Sequence, residues 1–142
     1  MRRRPIILVV EDDAATAAAL ERILPRWGYD VRSACSLAAA LSAVEAGPFD
    51  LLLSDLVLPD GNGEDLCRQL QAGRHVPAIA VSGHSFPQDT ERCKAAGFDR
   101  RLTKPVDLDL LFTAIQKTLD GTDWADDGAA MNGSTRMSGK VP

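Results

Sequence analysis

The chain has 142 residues, of which 45% are hydrophobic and 25% are charged, and its formal net charge is −4. This length accommodates one domain with one core, and the acidic balance argues against a nucleic-acid-binding surface, which normally carries an excess of Lys and Arg. No apolar run approaches the roughly 20 residues of a membrane span, and the apolar segment after the basic N-terminus is too short for a signal peptide.

We therefore expect a cytoplasmic protein without membrane insertion. Its three cysteines are odd in number and far apart, and they show no metal-ligand or redox spacing. The sequence predicts that they are reduced, partly buried thiols; they are Cys35, Cys67 and Cys93.

Five short runs rich in apolar and β-branched residues are predicted as strands. The third run, Leu51-Leu52-Leu53-Ser54, consists of apolar or small residues throughout, which is typical of a strand buried on both faces of a parallel sheet. Asp55 follows it directly, and the loop that comes next ends in a Pro-Asp-Gly turn. The predicted strands cover residues 6–10, 29–34, 49–54, 77–82 and 99–103.

A helical pattern follows each strand. Asp13, Ser36 and Asp107 precede the first, second and fifth patterns and are suitable N-caps. Pro25 is predicted to end or kink the first helix, because proline has no backbone N–H and its ring clashes with the preceding turn. The predicted helices cover residues 14–24, 37–46, 64–72, 87–96 and 108–119.

Strict alternation of strands and helices predicts right-handed βαβ units and a parallel sheet with helices on both faces. We expect a flavodoxin-like (βα)5 three-layer sandwich with the strand order 2-1-3-4-5. The predicted domain covers residues 5–119. Residues 120–142 are rich in Gly, Ser, Thr, Asn and Asp and are predicted to form a disordered tail, in which only Trp124 is suited to docking.

Polar residues follow four of the five predicted strands. Because the carboxyl ends of parallel strands share one edge of the sheet, these side chains should converge there. The residues are Glu11 and Asp12 after the first strand, Asp55 after the third, Ser82 at the end of the fourth and Lys104 after the fifth.

This set of side chains predicts a phosphoryl-transfer site. Two like charges about 4 Å apart cost about 4 kcal/mol at an effective dielectric of 20, so three carboxylates should recruit a cation. Hard oxygen ligands with open positions suit Mg²⁺ (or Mn²⁺). The metal and the Lys104 ammonium would neutralise the transferring oxygens while Asp55 acts as the nucleophile.

These residues, in this order and context, resemble the receiver domain of two-component response regulators. The resemblance covers residues 5–119. It implies that Asp55 is the phosphoacceptor, Ser82 the hydroxyl switch residue and Lys104 the phosphate-contacting lysine. It further implies that Asp12, Asp55 and the backbone carbonyl of Val57 ligate the metal, that Glu11 acts through water, and that the Lys104–Pro105 peptide bond is cis.

One position near the predicted switch residue Ser82 departs from the pattern of the family. The family usually has Tyr or Phe three residues before the lysine, whereas this chain has Arg101. Because an unpartnered buried arginine would be costly, Arg101 is predicted to stay at the surface. Gly83 should leave Asp55 open to a donor histidine, and it is equally compatible with a simple turn. His84 could act on water, but an exposed histidine without a catalytic role is the more common case.

The resemblance implies a response regulator that takes its phosphoryl group from a histidine kinase or a histidine phosphotransfer protein. Its output would be a protein–protein contact or onward phosphotransfer, and it would be a monomer or a weak dimer. It would catalyse its own phosphotransfer and autodephosphorylation without being a turnover enzyme. The docking or switch positions implied are Ser82, Gly83, Arg101 and Pro105.

Three alternatives remain at this stage. A binding module of the same fold would never use phosphate, although the complete set of site residues argues against it. A phosphohydrolase resembling the haloacid dehalogenases would carry a second Asp where this chain has Val57. A flavodoxin relative would have a phosphate-binding loop after the first strand, where acids stand here.

Overall fold

The computed structural model describes residues 3–83, 87–121 and 125–126, of which residues 87–89 and 125–126 are described by their backbone alone. Arg2, His84 and Trp124, and most of the predicted tail, lie outside the described residues. Within the part that is described, every helix is too short or too polar to cross a membrane.

The molecule has three layers, with a parallel sheet between two groups of helices. The strands are β1 (Ile6–Val10), β2 (Asp30–Ala34), β3 (Leu51–Asp55), β4 (Val57–Leu58), β5 (Gly61–Asn62), β6 (Ala78–Ser82), β7 (Arg100–Thr103) and β8 (Ala125–Asp126). The helices are α1 (Ala14–Arg26), α2 (Leu37–Ala46), α3 (Gly63–Leu70), α4 (Pro87–Ala96) and α5 (Leu108–Leu119).

The main sheet has the order β2-β1-β3-β6-β7-β8, and all of its pairings are parallel. Its first five strands have the predicted order 2-1-3-4-5, so the flavodoxin-like α/β fold is confirmed. β8 was not predicted: Ala125 and Asp126 pair in parallel with Arg100 and Arg101 of β7. The separate pair of β4 and β5 lies in the loop after Asp55.

Each face of the sheet has its own hydrophobic core. Alternate residues of β1 illustrate the division, since Leu8 and Val10 face one core and Ile7 and Val9 face the other. The first core packs beneath α2, α3 and α4, and the second beneath α1 and α5. Cys67 and Cys93 are buried in the first core, and Cys35 is exposed.

The helix ends follow the capping residues. Asp13, Ser36 and Asp107 accept hydrogen bonds from backbone N–H groups of the first turns of α1, α2 and α5. Pro25 lies inside α1, which continues one residue further to Arg26. The continuation is tolerated because Pro25 is in the last turn, where little helix remains to be disrupted.

Candidate functional site

Asp55 is the last residue of β3 and its side chain is at the centre of the polar cluster. The residue is only 6% exposed. Its Oδ2 accepts a hydrogen bond of 2.7 Å from Lys104 Nζ, and its Oδ1 accepts one of 3.3 Å from the Val57 N–H. A buried carboxylate is therefore held by one ammonium and one backbone donor.

The backbone of Asp55 is confined by the start of α3. The Gly63 N–H donates to the Leu56 carbonyl at 3.0 Å, and a Cβ added to Gly63 would lie 2.3 Å from the Asp55 carbonyl oxygen. Only glycine permits this approach. The same loop is tied to the neighbouring helix, because Asp60 accepts the N–H groups of Leu37 and Ala38 at 2.7 and 3.0 Å.

Glu11 and Asp12 follow β1 and complete an acidic cluster with Asp55. One carboxylate oxygen from each of the three residues lies within 4.8 Å of the others. Glu11 is buried, and its Oε2 accepts the Asp13 N–H at 3.0 Å. Burial raises the pKa of Glu11 and the Asp55 charge adds to that rise, although the Asp13 N–H and Lys104 oppose it. Asp12 is exposed.

Lys104 carries the balancing positive charge. Its Nζ lies 2.7 Å from Asp55 Oδ2 and 3.4 Å from Glu11 Oε1. Burial alone would lower the pKa of Lys104, but the hydrogen bond and charge of Asp55, supported by Glu11, outweigh it and raise that pKa. The ammonium is therefore charged throughout the neutral pH range.

Ser82 reaches the same edge through the backbone. It is buried at the end of β6, and its carbonyl accepts the Lys104 N–H at 2.7 Å. The Lys104–Pro105 bond is cis, as the resemblance implies. Gly83 is exposed, and a Cβ placed there would meet no heavy atom within 4 Å. Among the described residues, none therefore closes the approach to Asp55 beside Gly83.

The cluster fits a divalent cation with hard oxygen ligands. Mg²⁺ favours one or two carboxylates together with water and phosphate oxygens, in octahedral geometry. Asp12, Asp55 and Val57 line one cavity of about 570 Å³, so the ligands that the resemblance implies face a common space. Val57 is 75% exposed.

Arg101 contradicts its predicted surface position, because only 1% of it is exposed. It lies on the face of β7 towards α4, where its Nη2 is 3.4 Å from the Thr90 Oγ1. The prediction was wrong because it treated the arginine as a charge alone. Its long aliphatic stem can be buried while the guanidinium reaches a polar group at the end of the space.

Glu64 and Arg92 were not selected from the sequence, although both line the cavity that contains Asp55. Glu64 stands in the first turn of α3, where an acid has an ordinary explanation as a partner of the helix dipole. Arg92 lies on α4 and its Nε is 2.8 Å from Glu64 Oε2. No spacing in the sequence would have paired these two residues.

Comparison with known proteins supports a family assignment. The family model described as "Response regulator receiver domain" matches residues 7–116. The chain is 33% identical over 136 residues to the sensory transduction protein RegX3 of Mycolicibacterium smegmatis, covering 92% of this chain and 60% of that protein. It is 32% identical over 107 residues to the sensor histidine kinase RcsC of Salmonella typhimurium, covering 75% of this chain and 11% of that protein.

A solved structure agrees over nearly its full length. A CheY-like response regulator receiver domain protein from Methanospirillum hungatei superposes with a TM-score of 0.76 at 31% identity, covering 83% of this chain and 95% of that one. The chain spans less than two thirds of either curated relative. From the matched range, the shared fold and the cluster around Asp55, the chain belongs to the response regulator receiver domain family of two-component systems.

Proposed function

We propose that this receiver domain accepts a phosphoryl group from a phosphohistidine donor onto Asp55, with Mg²⁺ or Mn²⁺ as the cofactor. The observation that carries the proposal is the Lys104 ammonium, 2.7 Å from the Asp55 carboxylate in a pocket with two further acids. A structural ion pair would need neither the additional acids nor the open side at Gly83.

In the transfer, an Asp55 carboxylate oxygen attacks phosphorus while the bond between phosphorus and the donor imidazole nitrogen breaks. The products are an aspartyl phosphate and a histidine that takes up a proton. Lys104 can remain beside the transferring oxygens and offset their charge, and Ser82 can donate its hydroxyl hydrogen to one of them. A bound divalent cation, held by Asp12, Asp55 and the Val57 carbonyl with Glu11 acting through water, supplies further charge neutralisation.

The donor is a histidine kinase or a histidine phosphotransfer protein, whose exposed phosphohistidine can approach Asp55 beside Gly83. The domain takes part in its own phosphorylation and dephosphorylation but turns over no small substrate. The proposed setting is the cytoplasm.

The phosphorylated state is read as a protein–protein contact or passed onward, through the surface formed by α4, β7 and α5. Movement of Ser82 towards the phosphoryl group would bias an equilibrium between two conformations of this surface. The Arg101 side chain of β7 packs towards α4. It takes the place of the aromatic side chain as the group that responds to this conformational change.

The test is intact-mass measurement after incubation with acetyl phosphate and Mg²⁺. The expected result is one phosphoryl adduct on the wild type, none on Asp55→Asn, and none after chelation of the metal. Absence of an adduct on the wild type, or equal adducts on the two proteins, would leave a binding module of the same fold as the better description.

A further inference from the structure

An ion pair crosses the wall of the Asp55 cavity. The Arg92 guanidinium on α4 meets the Glu64 carboxylate on α3 at 2.8 Å, and both residues line the space that Asp55 and Lys104 also line. The pair is asymmetric, because the Glu64 side chain is 8% exposed and that of Arg92 is 61% exposed. The Glu64 carboxylate is therefore enclosed by the wall, whereas the Arg92 side chain is largely exposed to solvent.

Glu64 is fixed by the chain around it. It follows Gly63, whose backbone packs against Asp55, and Asn62, whose side chain accepts the Asp65 N–H at 2.8 Å as the N-cap of α3. A buried carboxylate requires a cationic or hydrogen-bonding partner. Glu64 therefore engages the Arg92 guanidinium in the unphosphorylated domain.

Arg92 has the chemistry to do more than satisfy Glu64. A guanidinium has five N–H donors in a planar fork and binds phosphate as well as carboxylate. A phosphoryl group on Asp55 would bring about 1.5 to 2 negative charges into the cavity, more than the single charge of Glu64. Lys104, already between Asp55 and Glu11, has limited capacity to neutralise them.

We propose that Arg92 is a second cationic contact for the phosphoryl group, and that Glu64 competes with that group for the Arg92 guanidinium. This inference rests on the proposed phosphorylation of Asp55. Arg92 then donates to a phosphoryl oxygen and loosens its bond to Glu64. Because Arg92 belongs to α4 and Glu64 to α3, the exchange also changes how α4 is tied to the rest of the domain.

The structure offers a matched pair of control residues. Arg68 and Asp65 form an exposed ion pair of 2.9 Å on α3, with side chains 57% and 56% exposed. Arg68→Gln removes the same charge as Arg92→Gln, and Asp65→Asn matches Glu64→Gln. General changes in net charge thus affect the control and the test variants alike.

The experiment measures the initial rate of Asp55 phosphorylation by acetyl phosphate and the decay of the adduct, by intact mass. Arg92→Gln should lower the rate about fivefold to tenfold, as expected for loss of one charge-stabilising donor at a partly exposed position. Glu64→Gln should raise it about threefold, because the Glu64 carboxylate no longer competes with the phosphoryl group for the guanidinium. Arg68→Gln and Asp65→Asn should stay within about twofold of the wild type.

The opposite directions of the two test variants are the decisive result. If the pair only fastens α3 to α4, Glu64→Gln and Arg92→Gln would change the rate in the same direction. That outcome, or a rate for Arg92→Gln equal to that of Arg68→Gln, would overturn the inference. Urea unfolding of each variant identifies any rate change caused by loss of folding, and Glu64→Gln/Arg92→Gln, which leaves no buried charge unpaired, should phosphorylate as slowly as Arg92→Gln.

The two proposals fail separately. No adduct on wild-type protein would refute phosphorylation of Asp55 itself. A normal adduct on Asp55 whose formation and decay are indifferent to Arg92 would refute only the role of Arg92.

Discussion

The cluster around Asp55 and the site of Arg101 on β7 bury charge in different ways. Around Asp55, two buried carboxylates share one ammonium at 2.7 and 3.4 Å, so opposite charges meet at close range. On β7, the buried Arg101 has a long stem and a hydroxyl, that of Thr90, near its guanidinium. The first arrangement brings opposite charges within 3.4 Å of each other, whereas the second buries a long aliphatic stem together with its charge.

This difference has a consequence for mutation. Removing the Lys104 ammonium from the Asp55 cluster leaves only negative charges in a confined space, so function should suffer first. Replacing Arg101 with an uncharged side chain of similar length should preserve packing, so stability should suffer little. Four predictions test this difference.

The largest effect is expected from Gly63→Ala, which tests how rigidly the Asp55 side of the comparison is built. The new Cβ would lie 2.3 Å from the Asp55 carbonyl oxygen and 3.0 Å from the Ser54 Oγ. We expect a loss of about 3 kcal/mol in the free energy of unfolding. Urea denaturation measures it, with Gly83→Ala as the control because its added Cβ meets nothing within 4 Å. Equal stability of the two variants would show that the loop can move aside.

Lys104→Met tests the ammonium that the acidic cluster shares. The rate of Asp55 phosphorylation should fall about a hundredfold, or ~2.7 kcal/mol in activation free energy, because the main protein charge beside the transferring oxygens is lost. Intact-mass time courses with acetyl phosphate give the rate. Lys117→Met, on the exposed side of α5, should be indistinguishable from wild type, and a comparable loss there would mean that overall charge is what matters.

Two substitutions of Arg101 test how this buried arginine contributes to the stability of the fold. Arg101→Ala should reduce the free energy of unfolding by about 2 kcal/mol, since the buried stem is replaced by a cavity. Arg101→Met keeps most of the volume and should recover most of that loss. Thermal and urea unfolding measure both. If Met is as damaging as Ala, the guanidinium itself stabilises the fold and the proposed contrast between the two regions is wrong.

The smallest expected effect concerns the reactivity of the cysteine thiols. Burial raises the pKa of Cys67 to about 11, so at pH 8 roughly one thiol in a thousand is ionised. Iodoacetamide at pH 8 should label the exposed Cys35 and leave Cys67 unmodified, as peptide mass mapping would show. Labelling of Cys67 should rise with pH and should become complete in concentrated urea. Rapid labelling of native Cys67 would show that the core beside α3 opens.

Much of the fold was predictable because its signals are local. Apolar runs of four or five residues located the central strands, and Asp13, Ser36 and Asp107 marked helix starts through simple capping chemistry. The convergence of Glu11, Asp12, Asp55 and Lys104 followed from one rule about parallel strands. Each inference needed only neighbouring residues and the sheet order.

The missed features depend on pairs of residues that only the folded chain brings together. Glu64 and Arg92 are 28 positions apart. Asp60 lies in the loop after β3 and accepts a hydrogen bond from the N-terminus of α2. The burial of Arg101 depends on how much space α4 leaves above β7, which no property of the arginine predicts. The strand β8 is two residues long and lacks the apolar character by which strands are recognised.

The short strand β8 limits which partners can pair with the backbone of β7. In a five-stranded receiver, β7 would present an unused row of backbone donors and acceptors along the margin of the signalling surface. Here the chain's own segment beyond α5 takes up hydrogen-bonding positions on β7 through Ala125 and Asp126. A partner that approaches by this margin must compete with a tethered peptide, whose local concentration is set by a few residues of chain. A partner that pairs with β7 along this margin must therefore displace Ala125 and Asp126.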